Sequence, residues 1–472
     1  MMRRQEPKRI VGQVKEKRTP LFAPAQLETL AWQSRFIQRA SSKLTGADFF
    51  ALMTTEMLDN PAVSYGGRCD LLQQRQPQAA MTPQALQHRL HTPAAVASLP
   101  AVLQLALREQ LTPLYAQLPA AFLASCGRVF LEDSTPCCRH EKLAEAFKGS
   151  GGSASRAPVK SDGIYELLSH HRHALTVTDG RAADQGQATA RVPFLRTGDL
   201  VRRDGGYVSL ESLQQMAAKE AWFLSRLSPS VAVYAAADAA TEAVAFGDHG
   251  QQTAPPQTVG DLAVYLGPHR LPCRLLAYRL PEEVVARRRR TAYETARKKG
   301  RTPTHAYLHG RQYGWYVTNV AAVVWAAEVV ATVYRMRWQR ERLFKQWKAL
   351  LHLHVLKGTR PERITCLLYG RLITLTMLMR ICSYAAWYAT TVLRREIRVP
   401  KLILWLKRKG RCAHAVQEDA LETLCGDLRR ARAPLLCKQK RKRQTSQQLL
   451  DKTPEVRESS AQEQTIQEDQ AA

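Results

Sequence analysis

The sequence has few features of a secreted or zinc-binding protein. Its ten cysteines are scattered and include no Cys-x-x-Cys pair, so a structural zinc site built on such pairs is excluded and reduced thiols are expected. The first nineteen residues are rich in Lys and Arg and lack the apolar stretch of a signal peptide. We therefore expect a cytoplasmic protein.

A long uninterrupted apolar run is also missing. The most apolar stretch, 367–393, contains Arg371 and Arg380, and each arginine costs about 2.5–3.5 kcal/mol at the centre of a helix in lipid. We expect a buried helix here and no membrane partner, with a basic membrane-associated protein as the alternative. The glycine-rich stretch 149–155 lacks the Gly-Lys-Ser/Thr of a phosphate-binding loop, which argues against nucleotide binding.

Acidic residues are scarce relative to basic ones. The chain has 69 Lys plus Arg against 41 Asp plus Glu, a net charge of +28 over 472 residues. Residues 449–472 hold six of the acids and two of the bases, so residues 1–448 carry 67 − 35 = +32. A chain this basic is expected to bind a polyanion, either a nucleic acid or an anionic membrane surface.

The hydrophobic pattern predicts a mixed α/β sheet in the middle of the chain. Short apolar runs typical of strands surround a helical pattern at Ser209–Lys219. Two further helices are predicted, one from Val323 to Leu356 and one over 361–396. The predicted strands are Val129–Leu131, Ala174–Thr178, Asp199–Arg203, Ala221–Leu227, Val231–Tyr234, Ala263–Leu266, Arg274–Tyr278 and Gly314–Val320.

The helix predicted from Val323 carries five functional side chains on one face. At about 100° per residue they fall within a sector of about 80°. One interpretation is a charged surface stabilised by local ion pairs; the other is a metal-binding acid surrounded by groups that hold phosphate. The five residues are Tyr334, Arg337, Glu341, Lys345 and Lys348.

Two aspartates are predicted at strand ends. Asp133 follows the apolar run Val129–Leu131, and Asp204 stands between a short strand and the turn Gly205-Gly206. Asp199 borders the same strand, but the glycine turn favours Asp204. Together with Glu341, Asp133 and Asp204 can supply the hard oxygen ligands that a pair of Mg²⁺ ions requires, and Mn²⁺ can substitute.

The same residues form a recognisable signature. Tyr334, Arg337, Glu341 and Lys348 have the spacing Tyr, two residues, Arg, three residues, Glu, six residues, Lys. This pattern resembles the signature of the DDE transposases of the insertion-sequence-four family, which includes the Tn-five type. Similarity over about residues 126–356 also includes the segments Asp133–Thr135, Asp204–Tyr207, Ala221–Leu227 and Val317–Asn319.

The resemblance implies an RNase H-like catalytic core interrupted by a β-rich insertion, with Asp133, Asp204 and Glu341 as catalytic metal ligands. It also implies that Tyr334 and Arg337 hold phosphate and that Lys348 assists DNA contact. We expect Lys345 to join this DNA-binding face. The basic run of the insertion is expected to contact the DNA backbone through Arg287, Arg288, Arg289 and Arg290.

The expected function is a DNA transposase that binds the terminal inverted repeats of its insertion sequence, hydrolyses a phosphodiester at two metal ions and transfers the strand into target DNA. Double-stranded DNA, a homodimer in the synaptic complex and a nucleoid-associated location follow from this expectation. The alternatives are a catalytically inactive, DNA-binding descendant of such an enzyme and a general nuclease.

Six segments are predicted along the chain. The α/β catalytic core is expected in two parts separated by an insertion, with a helical region before it. They are a basic flexible arm (1–21), a helical N-terminal DNA-binding region (22–124), the first part of the RNase H-like core (125–228), the β-rich basic insertion (229–313), the second part of the core (314–398) and a basic C-terminal region with an acidic disordered tail (399–472).

Overall fold

The computed structural model of the protein describes most of the chain between residues 23 and 430. The described ranges are 23–54, 63–108, 126–139, 141–148, 158–166, 172–227, 231–238, 241–243, 259–335, 356, 358–393, 397, 399–408 and 420–430. The chain divides into two compact units. The first comprises residues 1–116, 134–182 and 341–442, and the second comprises 117–133, 183–340 and 443–472.

Five helices begin the first unit. Thr45, Ser64 and Thr82 fix the starts of the second, third and fourth, because each side chain accepts a hydrogen bond from a backbone amide of the first helical turn. The helices are α1 (Pro24–Gln33), α2 (Gly46–Met53), α3 (Tyr65–Arg75), α4 (Pro83–Leu90) and α5 (Pro93–Arg108).

Nine strands form one mixed sheet, which confirms the predicted α/β class. They are β1 (Val129–Arg139), β2 (Pro158–Glu166), β3 (Arg172–Asp179), β4 (Leu200–Arg203), β5 (Trp222–Arg226), β6 (Val233–Tyr234), β7 (Val259–Leu266), β8 (Leu271–Arg279) and β9 (Tyr313–Thr318). Their order is β3-β2-β1-β4-β5-β9-β8-β7-β6. The β1–β4 and β4–β5 pairs are parallel. The antiparallel pairs are β2–β3, β5–β9, β9–β8, β8–β7 and β7–β6.

The second unit packs helices with the central strands. Leu200 and Val201 of β4 and Phe223 and Leu224 of β5 are all buried, as expected for central strands whose two faces are covered. Ser209 caps the helix between these strands by accepting a hydrogen bond from the Ser212 amide at 3.1 Å. The helices are α6 (Asp184–Ala190), α7 (Leu210–Ala218), α8 (Glu282–Lys298), α9 (His305–Gly310) and α10 (Ala327–Arg335).

An asparagine joins the end of β9 to the start of β5. The Phe223 amide donates to Asn319 Oδ1 at 2.8 Å, and Asn319 Nδ2 donates to the Ala221 carbonyl at 2.9 Å. Thr318 Oγ1 also donates to the Phe223 carbonyl at 2.6 Å. These bonds hold together two strands that are almost a hundred residues apart in sequence. They also fix the end of β9, after which the chain leads into α10.

The helix predicted to start at Val323 starts later. The amides of Val324 and Trp325 both bond to the Ala321 carbonyl in a tight turn, and Val323 is 95% exposed. Because the buried Trp325 ring anchors this turn, α10 begins only at Ala327. Residues 336–355 of the predicted helix lie outside the described residues.

The apolar stretch 367–393 lies almost entirely in a long helix of the first unit, α11 (Pro361–Thr391). Leu368, Leu372 and Ile373 are buried and Arg371 is 4% exposed, which confirms the predicted buried helix. Two shorter helices follow, α12 (Val399–Arg408) and α13 (Ala420–Arg430). Taken singly, none of the described helices has both the length and the apolar character needed to cross a membrane; α4 and α5, bent by 68°, pass that test only as a pair.

Candidate active site

The two predicted aspartates lie just beyond the parallel pairing of β1 with β4. Its ladder pairs Val129 with Leu200 and ends at Leu131 with Arg202. Continuing this register by two residues places Asp133 opposite Asp204. Because side chains alternate along a strand and paired parallel strands point their matched residues to the same face, both carboxylates belong to one face of the sheet.

Asp204 occupies the predicted strand end. It follows β4 directly in an extended conformation and caps the short 3₁₀ helix Gly205–Tyr207, with its Oδ1 accepting from the Gly205 amide at 2.9 Å. The side chain is half-buried. This geometry fits the turn that the paired glycines predicted.

Asp133 lies inside its strand, and the prediction that it ends the strand was wrong. β1 continues for six residues beyond it, to Arg139, because β2 provides β1 with a second neighbour after the pairing with β4 has ended. Asp133 is half-buried and belongs to the second compact unit with Asp204. The acid therefore stands where the pairing with β4 stops.

Asp199, the competing candidate, is held in an ion pair at the other end of β4. Arg128 Nε donates to its Oδ1 at 2.9 Å and Arg128 Nη2 to its Oδ2 at 2.5 Å. The Arg196 amide donates to Oδ2 at 2.7 Å. Asp199 is 2% exposed and Arg128 is 19% exposed in their side chains, so both Asp199 oxygens serve a buried structural contact.

The residues that immediately precede the two candidate ligands form a second ion pair. Arg203 Nε donates to Glu132 Oε2, and both side chains are fully buried. Arg203 Nη1 also donates to Ser212 Oγ at 2.8 Å and Nη2 to the Ala188 carbonyl at 3.0 Å. Arg191 Nη1 lies 3.6 Å from Glu132 Oε1. The β1–β4 ladder is thus flanked by an ion pair at each end.

Basic and aromatic side chains share the sheet face of the two aspartates. Arg202 is two residues before Asp204, and the strand registers place Arg226 and its partner Tyr316 on the same face. The Arg202 guanidinium carbon lies 4.8 Å from the centroid of the Tyr334 ring, and the Tyr316 and Tyr334 ring centroids are 4.2 Å apart. The face is therefore cationic beside the carboxylates.

The electrostatics of this cluster reflect its excess of arginines. Burial and the neighbouring Tyr334 raise the pKa of Tyr316, while Arg226, Arg288 and Arg202 act in the opposite direction. Burial and then the charge of Arg226 lower the pKa of Arg288. Like charges held this close are suited to an anionic ligand that bridges them.

The four arginines of the predicted DNA contact lie on α8 but face different ways. Arg287 and Arg290 are exposed, whereas Arg288 and Arg289 are half-buried. Arg288 Nη1 donates to the Tyr313 carbonyl at 3.1 Å, which ties α8 to β9. Within this run, Arg287 and Arg290 are the side chains best placed to meet an extended polyanion.

Several predicted site residues lie outside the described residues, namely Arg337, Glu341, Lys345 and Lys348. Tyr334 is described; it is buried, and its hydroxyl has no hydrogen-bond partner within the described ranges. The two described carboxylates, Asp133 and Asp204, supply hard oxygen donors that suit Mg²⁺. Across the described ranges no group of three His, Cys, Asp or Glu side chains could hold a metal ion. Glu341, the predicted third ligand, is outside those ranges.

Sequence reasoning missed Glu132, Arg203, Arg202 and Arg226. The available signal in the sequence was a pair of charged residues, Arg202 and Arg203, within a short strand that begins with Leu200 and Val201. Both arginines are buried, like the two apolar residues before them. The partners of these arginines come from strands far away in sequence. Only the register of the sheet identifies them.

Known proteins resemble this chain along much of its length. The transposase for insertion sequence element IS231B of Bacillus thuringiensis subsp. berliner is 32% identical over 271 residues, which cover 54% of this chain and 56% of that protein. The transposase for IS231E of Bacillus thuringiensis subsp. finitimus is 28% identical over 369 residues, 75% and 76% of the two chains. The transposase for IS1151 of Clostridium perfringens is 26% identical over 373 residues, 75% and 76%.

These similarities have a defined extent. The chain spans 56% and 58% of the length of two of the curated relatives, the IS231B and IS231C transposases. The family profile described as Transposase DDE domain matches residues 124–377, which include both aspartates and the whole nine-stranded sheet. Because this match covers more than half of the 472 residues, the protein belongs to the transposase DDE domain family.

Proposed function

We propose that this protein is a DNA transposase that binds the terminal inverted repeats of its own insertion sequence, cleaves the phosphodiester at each end and transfers the freed strand into target DNA. The family match and the relatives named as transposases for insertion sequences support this proposal. The spacing of Tyr334, Arg337, Glu341 and Lys348 supports membership of the insertion-sequence-four family with an RNase H-like core.

One observation carries the proposal. Asp133 and Asp204 lie two residues beyond the last β1–β4 ladder pair, and the strand registers continued to them give both the sheet face of Arg202, Arg226 and Tyr316. Two carboxylates at this position suit divalent cations, and adjacent guanidinium groups suit a phosphate. A site that holds both is suited to displacement at phosphorus.

In the proposed reaction Asp133, Asp204 and Glu341 hold the divalent ions. Bound Mg²⁺, or Mn²⁺ in its place, supplies Lewis-acid polarisation of the phosphate and activation of the attacking oxygen. Arg226, with Arg202 nearby, binds a nonbridging phosphate oxygen and offsets the charge that develops there. Water is the first nucleophile, and the 3′-hydroxyl that it exposes is the second.

Further DNA contacts are proposed on both sides of this centre. Tyr334, Arg337, Lys345 and Lys348 contact the transposon strand beside Glu341. The α8 run Arg287–Arg290 contacts the duplex backbone, with its two exposed arginines meeting phosphates directly. We propose that two copies hold the two ends in the synaptic complex and that the protein acts on the bacterial nucleoid.

The test is cleavage of a duplex that carries the inverted repeat flanking the gene, in Mg²⁺ and in EDTA, beside a duplex with a scrambled end. We expect Mg²⁺-dependent nicking at the repeat that exposes a 3′-hydroxyl, and strand transfer when target DNA is added. Binding to the repeat with no cleavage at any metal concentration would identify an inactive descendant. Equal cleavage of both duplexes would identify a general nuclease.

A further inference from the structure

The structure assigns a positioning role to the buried pair Glu132–Arg203, which we infer sets the relative placement of Asp133 and Asp204 and thereby the metal affinity of the site. This inference rests on the proposed function, because it concerns how the proposed metal ligands are held. Neither Glu132 nor Arg203 faces the metal ions; each acts through the peptide that joins it to a ligand.

The first argument is the position of the pair. Glu132 and Arg203 directly precede Asp133 and Asp204, and they occupy the register step between Leu131–Arg202 and the two aspartates. Since side chains alternate along strands, the pair points to the sheet face opposite the carboxylates. A contact between Glu132 and Arg203 therefore keeps the peptides of Asp133 and Asp204 aligned along the strand direction.

The second argument is that the backbone ladder stops just before this point. The pairing of β1 with β4 covers only three residue pairs and ends at Leu131 with Arg202. A sliding displacement of one residue would move a carboxylate by about 3.3 Å and turn it to the wrong face. Mg²⁺ demands near-ideal octahedral geometry at about 2.0–2.1 Å, so a much smaller displacement already weakens binding.

The third argument is how firmly Arg203 itself is held. Its guanidinium bonds to Glu132 on β1, to Ser212 on α7 and to the Ala188 carbonyl on α6, and its side chain is fully buried. The planar fork of an arginine fixes these three partners in one geometry. The Arg191 guanidinium near the second Glu132 oxygen restrains the carboxylate further.

The chain provides a matched control at the other end of the same ladder. Arg128 and Asp199 join β1 and β4 through a bidentate ion pair, but they precede the first ladder pair and are remote from the ligands. Removing this pair loosens the same two strands without acting on the peptides of Asp133 and Asp204. It therefore separates a positioning role from a general effect on stability.

The experiment compares two double variants of the full chain, Glu132→Leu with Arg203→Met and Arg128→Met with Asp199→Leu. Replacing both members of a buried ion pair with apolar residues often preserves folding, because no uncompensated charge remains. Mn²⁺ affinity is measured on DNA-free protein by electron paramagnetic resonance. The Mg²⁺ concentration for half-maximal cleavage and the melting temperature are measured beside it.

We expect the Glu132/Arg203 variant to raise the Mn²⁺ dissociation constant by about 10-fold or more, the range found when groups that orient metal ligands are removed. The Mg²⁺ requirement should rise in parallel, while the Arg128/Asp199 variant keeps wild-type metal affinity. Equal metal affinities in the two double variants would overturn the inference. If the first double variant does not fold, Arg203→Lys decides: it keeps the charge but loses the fork, and an unchanged Mn²⁺ dissociation constant overturns the inference.

The two proposals fail in distinguishable ways. If the wild-type protein binds no Mn²⁺ and cleaves no end-bearing DNA, the proposed function is wrong and this inference fails with it. If the wild-type protein binds Mn²⁺ and cleaves end-bearing DNA, but the two double variants have identical metal affinities, only the positioning role of Glu132 and Arg203 is wrong.

Discussion

The two aspartates that flank β4 differ in what surrounds them. Asp199 stands before the strand, is almost fully buried, and gives both oxygens to Arg128 and the Arg196 amide. Asp204 stands after the strand, is half-buried and caps a turn beside the cationic face that contains Arg202 and Arg226. Identical side chains immediately before and after the same four-residue strand thus have different environments.

The comparison teaches that a strand end is not by itself a sign of catalysis. A carboxylate paired with a buried guanidinium stabilises the fold, because breaking such a pair leaves an unpaired charge in the interior. A carboxylate aligned with a second one on the neighbouring strand can bind a divalent cation. The difference is set by the partners that the β1–β4 register supplies.

The strongest way to break this comparison is to neutralise the proposed ligands. Asp133→Asn, Asp204→Asn and Glu341→Gln should each reduce cleavage by about a thousandfold or more, since metal-assisted stabilisation is worth several kcal/mol. Binding to end DNA, measured by gel shift, should remain close to that of the wild type. If one of these variants cleaves DNA in Mg²⁺ near the wild-type rate, the residue changed in it is not a metal ligand.

Asp199→Asn is the counterpart and should act on stability. Losing the buried ion pair with Arg128 should lower the free energy of unfolding by about 3–5 kcal/mol, as measured by denaturant titration. Cleavage per folded molecule should stay far closer to wild type than in Asp204→Asn. A loss of cleavage in folded Asp199→Asn as large as that of Asp204→Asn would reverse the assignment.

Tyr334→Phe sharpens the comparison on the cationic face. Its buried hydroxyl has no partner among the described residues, so removing it should leave the melting temperature unchanged or slightly higher. We propose that it bonds to phosphate in the DNA complex, so its loss should raise the activation free energy by about 1.5–3 kcal/mol and slow single-turnover cleavage by about 10–150-fold. Unchanged cleavage would remove the proposed phosphate contact of Tyr334.

The smallest expected effect concerns the exposed arginines of α8. Replacing Arg287 and Arg290 with Gln should weaken binding to all DNA sequences alike and flatten the salt dependence by about 0.9 log unit per lost phosphate contact. The Lys versions should keep the slope, because a backbone contact of this kind requires mainly charge. A changed sequence preference with an unchanged slope would point to base recognition instead.

Local patterns in the sequence were enough to predict much of the fold. The apolar runs around 200–203 and 222–226 became strands, Ser209 capped the helix between them, and the glycines after Asp204 formed the predicted turn. Each of these features depends on neighbours within a few residues. The long apolar stretch likewise became a buried helix with Arg371 inside the protein.

Other features depended on residues distant in sequence and were not predictable in the same way. The length of β1 beyond Asp133 reflects its second neighbour, β2, and the late start of α10 reflects the turn anchored by Trp325. The pairing of Glu132 with Arg203 requires knowing the register of two strands. Local charge and hydropathy contain no information about that register.

The sheet order also determines when in synthesis the site can form. The pairing of β1 with β4, which precedes Asp133 and Asp204, closes a loop of about seventy residues, and β5 gains its second neighbour only when β9 has been made. Nonlocal pairing of this kind is slow to nucleate, because the loop-closure entropy is lost before the contacts form. The early part of a nascent chain therefore contains both aspartates but not the sheet that aligns them.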